Sequence, residues 1–530
     1  MGPITVAAIM SLLASPGSAP AQAADDLPPI VYAIEVADST AQTARVTVNV
    51  PVPQGRDSVE LMMPVWSPGY YVVENYAKRI DSFEAKAPDG TPLEVEKPSP
   101  NHWTIATKGQ NPIVFSYVLT CKIRSVTGNW IGTDFAVWNG PATFVTLADE
   151  PTTTLRPHLL RVKRPEGWER SCVALDRAPG EEPDSYVAPT YDTLADSPIL
   201  VGTPTVYEFT VDGVKHALVE VGSIPKGWDG ARAASDVEAI VRATARFWGK
   251  LPFDRPYLFL NPHWQGNGGL EHAHSTLLST SPRMTMEGPG YPFWLGFVSH
   301  EYFHAFNVKR LRPVEISTFD YAAPPQTASL WISEGLTSYF GELMVARSGV
   351  VDPSAHILDA MSREIRSLQN TPGRLAQTLA QSSLEVWNGG TSGVGRDPSK
   401  TVSYYVKGPV VGFLLDAEIR RATDNDRSLD DVMRLAFERY SGATGFTPDQ
   451  FREAAEEVSK TDLKPFFHKA LDTTEELDYQ PALDWFGLRF APRENDDDSK
   501  VAPWTLEVSP DATDAQKARW KHLTTDGERP

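Results

Sequence analysis

Residues 291–308 read YPFWLGFVSHEYFHAFNV, and the motif His300-Glu301-Tyr302-Phe303-His304 inside them decides the fold and the chemistry of the chain's centre. Two histidines four apart lie on one helical face, about one turn from each other. Two imidazole nitrogens so placed can grip one zinc ion. Glu301 is one position from His300 and so points roughly 100° around the helix. It need not ligate, and can serve as general base toward water at the metal. The motif sits in a densely apolar stretch, so its helix is expected to be buried. Two neutral histidines and a glutamate would be costly there without partners; a metal and a water supply them.

A third ligand is needed. Residues 329–343 read SLWISEGLTSYFGEL, with Leu330, Trp331, Leu336, Tyr339 and Phe340 at helical spacing. Glu334, pointing from a second helix, would complete a His300, His304, Glu334 set and leave a fourth position open, as in catalytic zinc sites. Glu342 and Glu315 are the competing carboxylates. Further upstream, Gly268-Gly269 precede Glu271 and His272 in a segment read as an edge strand. Paired glycines let a substrate backbone come close to a strand. Glu271 then offers a carboxylate to a substrate α-ammonium, a charge-assisted bond.

HEYFHAFNVKRLRP (300–313), GGLEHAHS (268–275), WISEGLTSYF (331–340) and YYVKGPVVGFLLD (404–416) together resemble the glycyl-aminopeptidase family of zinc metallopeptidases, in the gluzincin clan. WSPGYYVVENYAKRI (66–80) resembles a motif of that family's N-terminal β domain. The likeness runs from about Val31 to Phe490. It implies one Zn(2+) per chain held by His300, His304 and Glu334, with Glu301 as general base. It implies Tyr405 as donor to the oxyanion, with the adjacent Tyr404 competing, and Glu271 as the amine anchor. It adds His272 as a residue lining the site, and places Asn307, Lys309 and Arg310 in supporting roles, while His274 is read as structural. The activity implied is removal of an N-terminal residue, glycine foremost and alanine next, from peptides with a free N-terminus. A zinc endopeptidase on the same scaffold is the alternative, and an inactive peptide-binding protein a further one; the intact Glu301 speaks against the latter.

The expected fold is multidomain α+β: an N-terminal all-β domain, a thermolysin-like catalytic domain and a C-terminal α-helical domain. Runs such as ARVTVNVPVP (44–53) and PIVFSYVLT (112–120) alternate or are β-branched between turn residues. The boundaries are read as 1–23 signal peptide, 24–205 β domain, 206–349 catalytic domain, 350–482 helical domain and 483–530 tail. Helices are expected over 229–251, 291–310 and 328–347. Trp66–Gly69 reads as a turn, and Tyr70 and Tyr71 as packing residues. Family members commonly carry a PDZ domain after a segment like WFGLRF (485–490). Residues 491–530 are too few to hold one, so its absence is expected.

With 41% hydrophobic and 22% charged residues, the chain can bury sizeable cores. A net charge of −19 argues against nucleic acid or an anionic membrane as partner. Ile4–Ala14 is an apolar run followed by Ala21-Gln22-Ala23, a pattern resembling a bacterial secretory signal, which implies a periplasmic or secreted protein. The run is too short to span a membrane. Cys121 and Cys172 either form one disulfide in an exported protein or stay as buried thiols.

Overall fold

The computed structural model describes residues 27–266, 268–288, 290–388, 397–492 and 503–525. The proposed signal segment lies outside them. The fold is multidomain α+β, with strands first, a mixed sheet next and helices last.

Alternation of apolar and polar residues builds the first region. Thr43–Val50 and Ile113–Thr120 each bury every second side chain, so one face of their sheet meets a core and the other meets water. They pair antiparallel in an eight-stranded sheet that also holds Ile30–Asp38 and His158–Lys163, themselves parallel. Two four-stranded sheets pack beside it, one built on Ser58–Met62 and His102–Ala106, the other on Phe135–Trp138 and Ile199–Gly202. Two short α-helices, Gly140–Thr143 and Tyr191–Ala195, and a 3-10 turn, Tyr76–Arg79, interrupt the β region. Cys121 and Cys172 are free thiols.

A five-stranded sheet follows, in the order Thr205–Val211, Val214–Gly222, Tyr257–His263, Ser275–Ser279, Gly268–Glu271. The expected edge strand at 268–278 is a hairpin whose first arm, Gly268–Glu271, is the free edge. Helix Gly230–Trp248 crosses between two parallel strands of this sheet. Asp229 caps it by accepting from Arg232 N–H at 3.1 Å, and Gly249 ends it in the left-handed region. Its inward face carries Val237, Ile240, Val241, Phe247 and Trp248, as the periodicity predicts. Thr244, also on that face, satisfies its hydroxyl on Ile240 O at 3.0 Å.

Two helical expectations need correction. The helix of the H-E-x-x-H motif spans Gly290–Phe303, seven residues short of the expected end. Asn307 is tied sideways to the next segment and Val308 adopts φ 109°, so the helical ladder cannot continue. The chain then extends along the helical region, with bridges Leu311–Ser441 and Pro313–Phe446. The second helix is not regular from 328. Trp331–Leu336 is a π-helical turn, and the α-helix proper is Thr337–Ser348.

The remaining helices include Pro353–Gln369, Tyr404–Ala422, Leu429–Tyr440 and Pro448–Ser459. The expected capping box at Thr447 and Gln450 is formed, as is the one at Ser428 and Asp431. Leu488–Phe490 pairs directly with Leu506–Val508, and helix Asp514–Thr524 folds back so that Trp520 Nε1 donates to Ser354 Oγ at 2.8 Å. The tail is thus built into the helical core. No described helix is long and apolar enough to cross a membrane.

The β region is bolted to the catalytic region from both sides. Val308, Ile316, Phe319 and Tyr321, which come after the motif helix, are buried in the β core. Trp66 Nε1 donates to Asp320 O at 2.7 Å, and Lys309 Nζ reaches Asp196 Oδ1 at 2.7 Å.

Burial leaves a pH signature. His158 and His216 are buried with Nδ1 donating to a backbone carbonyl, Arg156 O at 2.7 Å and Val214 O at 3.1 Å. His216 Nε2 also meets the Tyr302 hydroxyl at 3.0 Å. Burial drives the pKa of each down to about 4. An unfolded histidine takes a proton at pH ~6.5, so these two contribute stability above that value and lose it as pH falls toward 4. The urea midpoint is therefore expected to drop over that interval. A double His158→Gln, His216→Gln variant, weaker at neutral pH, should show a shallower drop; an equal slope would refute the assignment.

Candidate active site

The motif helix ends where its second histidine begins. His304 N–H still bonds His300 O at 3.2 Å, so the two rings keep their one-turn spacing. The π-helical turn Trp331–Leu336 brings Glu334 to the same point. His304 Nε2 lies 2.9 Å from His300 Nε2 and 3.1 Å from Glu334 Oε2, while His300 Nε2 and Glu334 Oε2 are 3.6 Å apart. Among the described residues this trio is the group of histidine, cysteine and carboxylate ligands arranged to hold a metal.

Hydrogen bonds at the far side of each ring set which nitrogen faces inward. Asn307 O accepts from His304 Nδ1 at 2.9 Å. Ser338 Oγ gives its proton to Glu334 O at 2.9 Å and so accepts from His300 Nδ1 at 3.4 Å. Each imidazole then presents a lone pair at Nε2, next to the other's and to a carboxylate oxygen. Acceptors that meet this way require a cation between them. Ligand atoms about 2.0–2.1 Å from a tetrahedral zinc stand roughly 3.3 Å apart, and the observed separations bracket that value. The donor set fits zinc. Burial works against charging His304, but the Glu334 and Glu271 carboxylates outweigh it and raise its proton affinity.

Asn307 braces the trio. Its Nδ2 donates to Ile332 O at 2.8 Å and Thr337 Oγ1 at 2.9 Å, tying the end of the first helix to the π-helical turn. Lys309 reaches Asp196, and Arg310 donates to Ala273 O and Pro252 O at 3.2 and 3.0 Å. Glu342 is engaged by His356 and Arg363 at 2.7 and 3.0 Å, and Glu315 is exposed; neither joins the trio.

Glu301 and Glu271 flank the cluster. A Cβ on Gly269 would stand 2.3 Å from Glu301 Oε1, so the bare backbone of the edge strand is what lets Glu301 occupy its place. Gly268, on the other face of the strand, meets Val126 instead. Glu301 Oε2 and Glu271 Oε1 are buried with no partner. Burial raises the affinity of both carboxyls for protons, and Glu334 adds to it. His272 turns to Asp196 Oδ1 at 3.1 Å, away from the trio, and His274 to Asp254 Oδ1 at 2.9 Å.

Tyr404 and Tyr405 start helix Tyr404–Ala422, capped by Ser403 Oγ accepting from Tyr405 N–H at 3.1 Å. The Tyr405 ring lies 6.3 Å from the His300 ring. Tyr404 is fully buried beside it, with ring centroids 4.8 Å apart. The helix can come this near because Gly335 meets Gly408 backbone to backbone. A Cβ at Gly335 would stand 2.6 Å from Gly408 Cα, and one at Gly408 2.7 Å from Gly335 Cα. Spacing alone gave no sign of this contact, because each glycine is read within its own helix. Tyr71, read from the sequence as a packing residue, lies in the core of the catalytic helices, far in sequence from its neighbours there.

Comparisons with known proteins place the chain in a family. Residues 31–203 match the Peptidase M61 N-terminal domain, and residues 294–411 match M61 glycyl aminopeptidase. The chain belongs to this family and is a metallo-aminopeptidase. An aminopeptidase N family protein from Idiomarina loihiensis has a similar crystal structure, with TM-score 0.80 and 26% identity over 87% of this chain and 78% of that one. An M1 zinc metallopeptidase mutant from Deinococcus radiodurans, solved with a Tyr-Ser-Ala substrate, shares the fold, with TM-score 0.51 and 13% identity over 86% of this chain and 96% of that one. No match was found among curated proteins.

Gly335→Ala or Gly408→Ala should push the two helices apart and lower stability by about 1–3 kcal/mol. Thermal unfolding and activity are expected to fall together. An unchanged melting temperature in both variants would show that the contact is not tight.

Proposed function

We propose that this chain is a zinc-dependent aminopeptidase that removes glycine foremost, and alanine next, from the N-terminus of peptides, using one zinc ion per chain. The observation that carries the reading is the convergence of His300, His304 and Glu334 at 2.9–3.6 Å beside two further buried carboxylates, Glu301 and Glu271. The family description, glycyl aminopeptidase, supports the residue preference.

Zinc bound by the trio would acidify water and polarise the scissile carbonyl. Glu301 takes the proton of the attacking water and passes it to the leaving amine. Burial raises the proton affinity of the Glu301 carboxyl, which suits a group that must hold the proton between the two transfers. Tyr405, a neutral phenol held well above its usual pKa by burial and by Glu334, donates to the developing oxyanion. Its ring faces His300, and this favours it over Tyr404. Glu271 receives the α-ammonium. Gly268 and Gly269 offer an open strand edge along which a peptide backbone can lie. His272, bonded to Asp196, steadies the end of that strand.

The domain division at residues 205, 349 and 482 and the export of the chain, read from Ile4–Ala23, are part of the same proposal. Tight contact between the β and catalytic regions gives the site a wall from each.

The test compares glycyl-p-nitroanilide with its N-acetyl form, with and without a zinc chelator. Cleavage of the free amine alone, lost with chelator, is expected. Equal cleavage of both would favour an endopeptidase and remove the anchor role of Glu271. Glu301→Gln should lower kcat by about 10²–10⁴. Tyr405→Phe should lower it by about 10²–10³, while Tyr404→Phe leaves it within a few fold; the reverse order would move the donor role to Tyr404.

A further inference from the structure

Trp66–Tyr71 belongs to the β region by sequence, yet its end is built into the catalytic core. Trp66 is packed among the β strands, whereas Tyr71 is packed with the catalytic helices. Between them the chain turns tightly: Tyr70 N–H donates to Ser67 O at 3.0 Å across Pro68 and Gly69. Gly69 has φ 91°, as the third position of a type II turn requires. A Cβ on Gly69 would stand 2.2 Å from Glu271 Oε1, so the turn's backbone lies against that carboxylate.

Two residues on, Tyr71 is 6% exposed, with its ring edge-on to Trp387 at 5.9 Å. Its hydroxyl is buried and forms no well-made hydrogen bond, with the Glu334 carboxylate beside it. A buried polar group without a well-made hydrogen bond is costly, so its place calls for an explanation. Glu271 Oε1 and Glu334 Oε1 are likewise buried and unpaired. A phenol can give its one proton to a carboxylate such as Glu334 and still offer a lone pair to a further donor. Two carboxylate oxygens and a phenol oxygen are thus buried without a well-made hydrogen bond, and both carboxylates lie near enough to act on the phenol. An α-ammonium brings three N–H donors and one positive charge. An acylated terminus brings one N–H and no charge, and leaves two of the oxygens unpaired.

We propose that Tyr71, delivered by the Trp66–Tyr71 turn of the β region, is a substrate-binding residue that receives the peptide's α-ammonium together with Glu271 and Glu334. The proposal rests on the aminopeptidase reading with Glu271 as anchor. It makes selection for a free N-terminus a joint property of both regions.

Calorimetric binding of two small hydroxamates to the zinc-loaded full chain tests it. Glycine hydroxamate carries the amine; acetohydroxamate lacks it. Tyr71→Phe, which removes only the hydroxyl, should weaken glycine hydroxamate by about tenfold, the size expected for one hydrogen bond to a charged group. Acetohydroxamate should bind the variant as it binds the parent, which also reports an intact site. Equal weakening of both ligands would make Tyr71 a support for Glu334 and overturn the proposal, as would no weakening of either. Glu271→Gln separates the two readings. If it abolishes the preference for the amine while Tyr71→Phe keeps it, only the role of Tyr71 fails. If Glu271→Gln also keeps the preference, the anchor reading itself fails.

Discussion

Three buried carboxylates, Glu271, Glu301 and Glu334, share one small volume with two imidazoles, and the rest of the site is arranged around that concentration of negative charge. Left alone it is unfavourable, because like charges in a low-dielectric interior cannot all stay ionised. In the proposed function a dication and a substrate ammonium would offset that charge.

Such a cluster persists only if the surrounding structure holds it. The motif helix is apolar on all sides and buried, so it is fixed by packing before any ligand arrives. Asn307 clamps its end to the π-helical turn of Glu334. The turn's wider backbone and the Gly335–Gly408 contact bring the tyrosine pair to the same point. On the open side stands an edge strand with no side chain at position 269. Each of these features gives up regularity to place a functional atom.

The β region is part of this arrangement and more than an appendage. The segment after the motif helix inserts Phe319 and Tyr321 into the β core, and the β region returns Tyr71 to the catalytic core. The exchange fixes the distance between Gly69 and Glu271.

Much of this was legible in the chain. Histidines four apart with a glutamate between them mark a candidate metal-binding helix, because helical periodicity alone puts the rings together. Glu334 was legible from its place in a second apolar helical segment and from family likeness. The capping boxes and the amphipathic helix at 230–248 are local properties, and the sequence determined them. What only the tertiary structure decided are contacts between residues far apart in the chain. The early end of the motif helix depends on Asn307 reaching residues 332–337, so propensity could not reveal it. The free state of Cys121 and Cys172, the turn of His272 toward Asp196, and the meeting of Gly69 with Glu271 are of the same kind. Periodicity records which face of an element is buried; which distant side chain waits on that face is settled only when the elements pack.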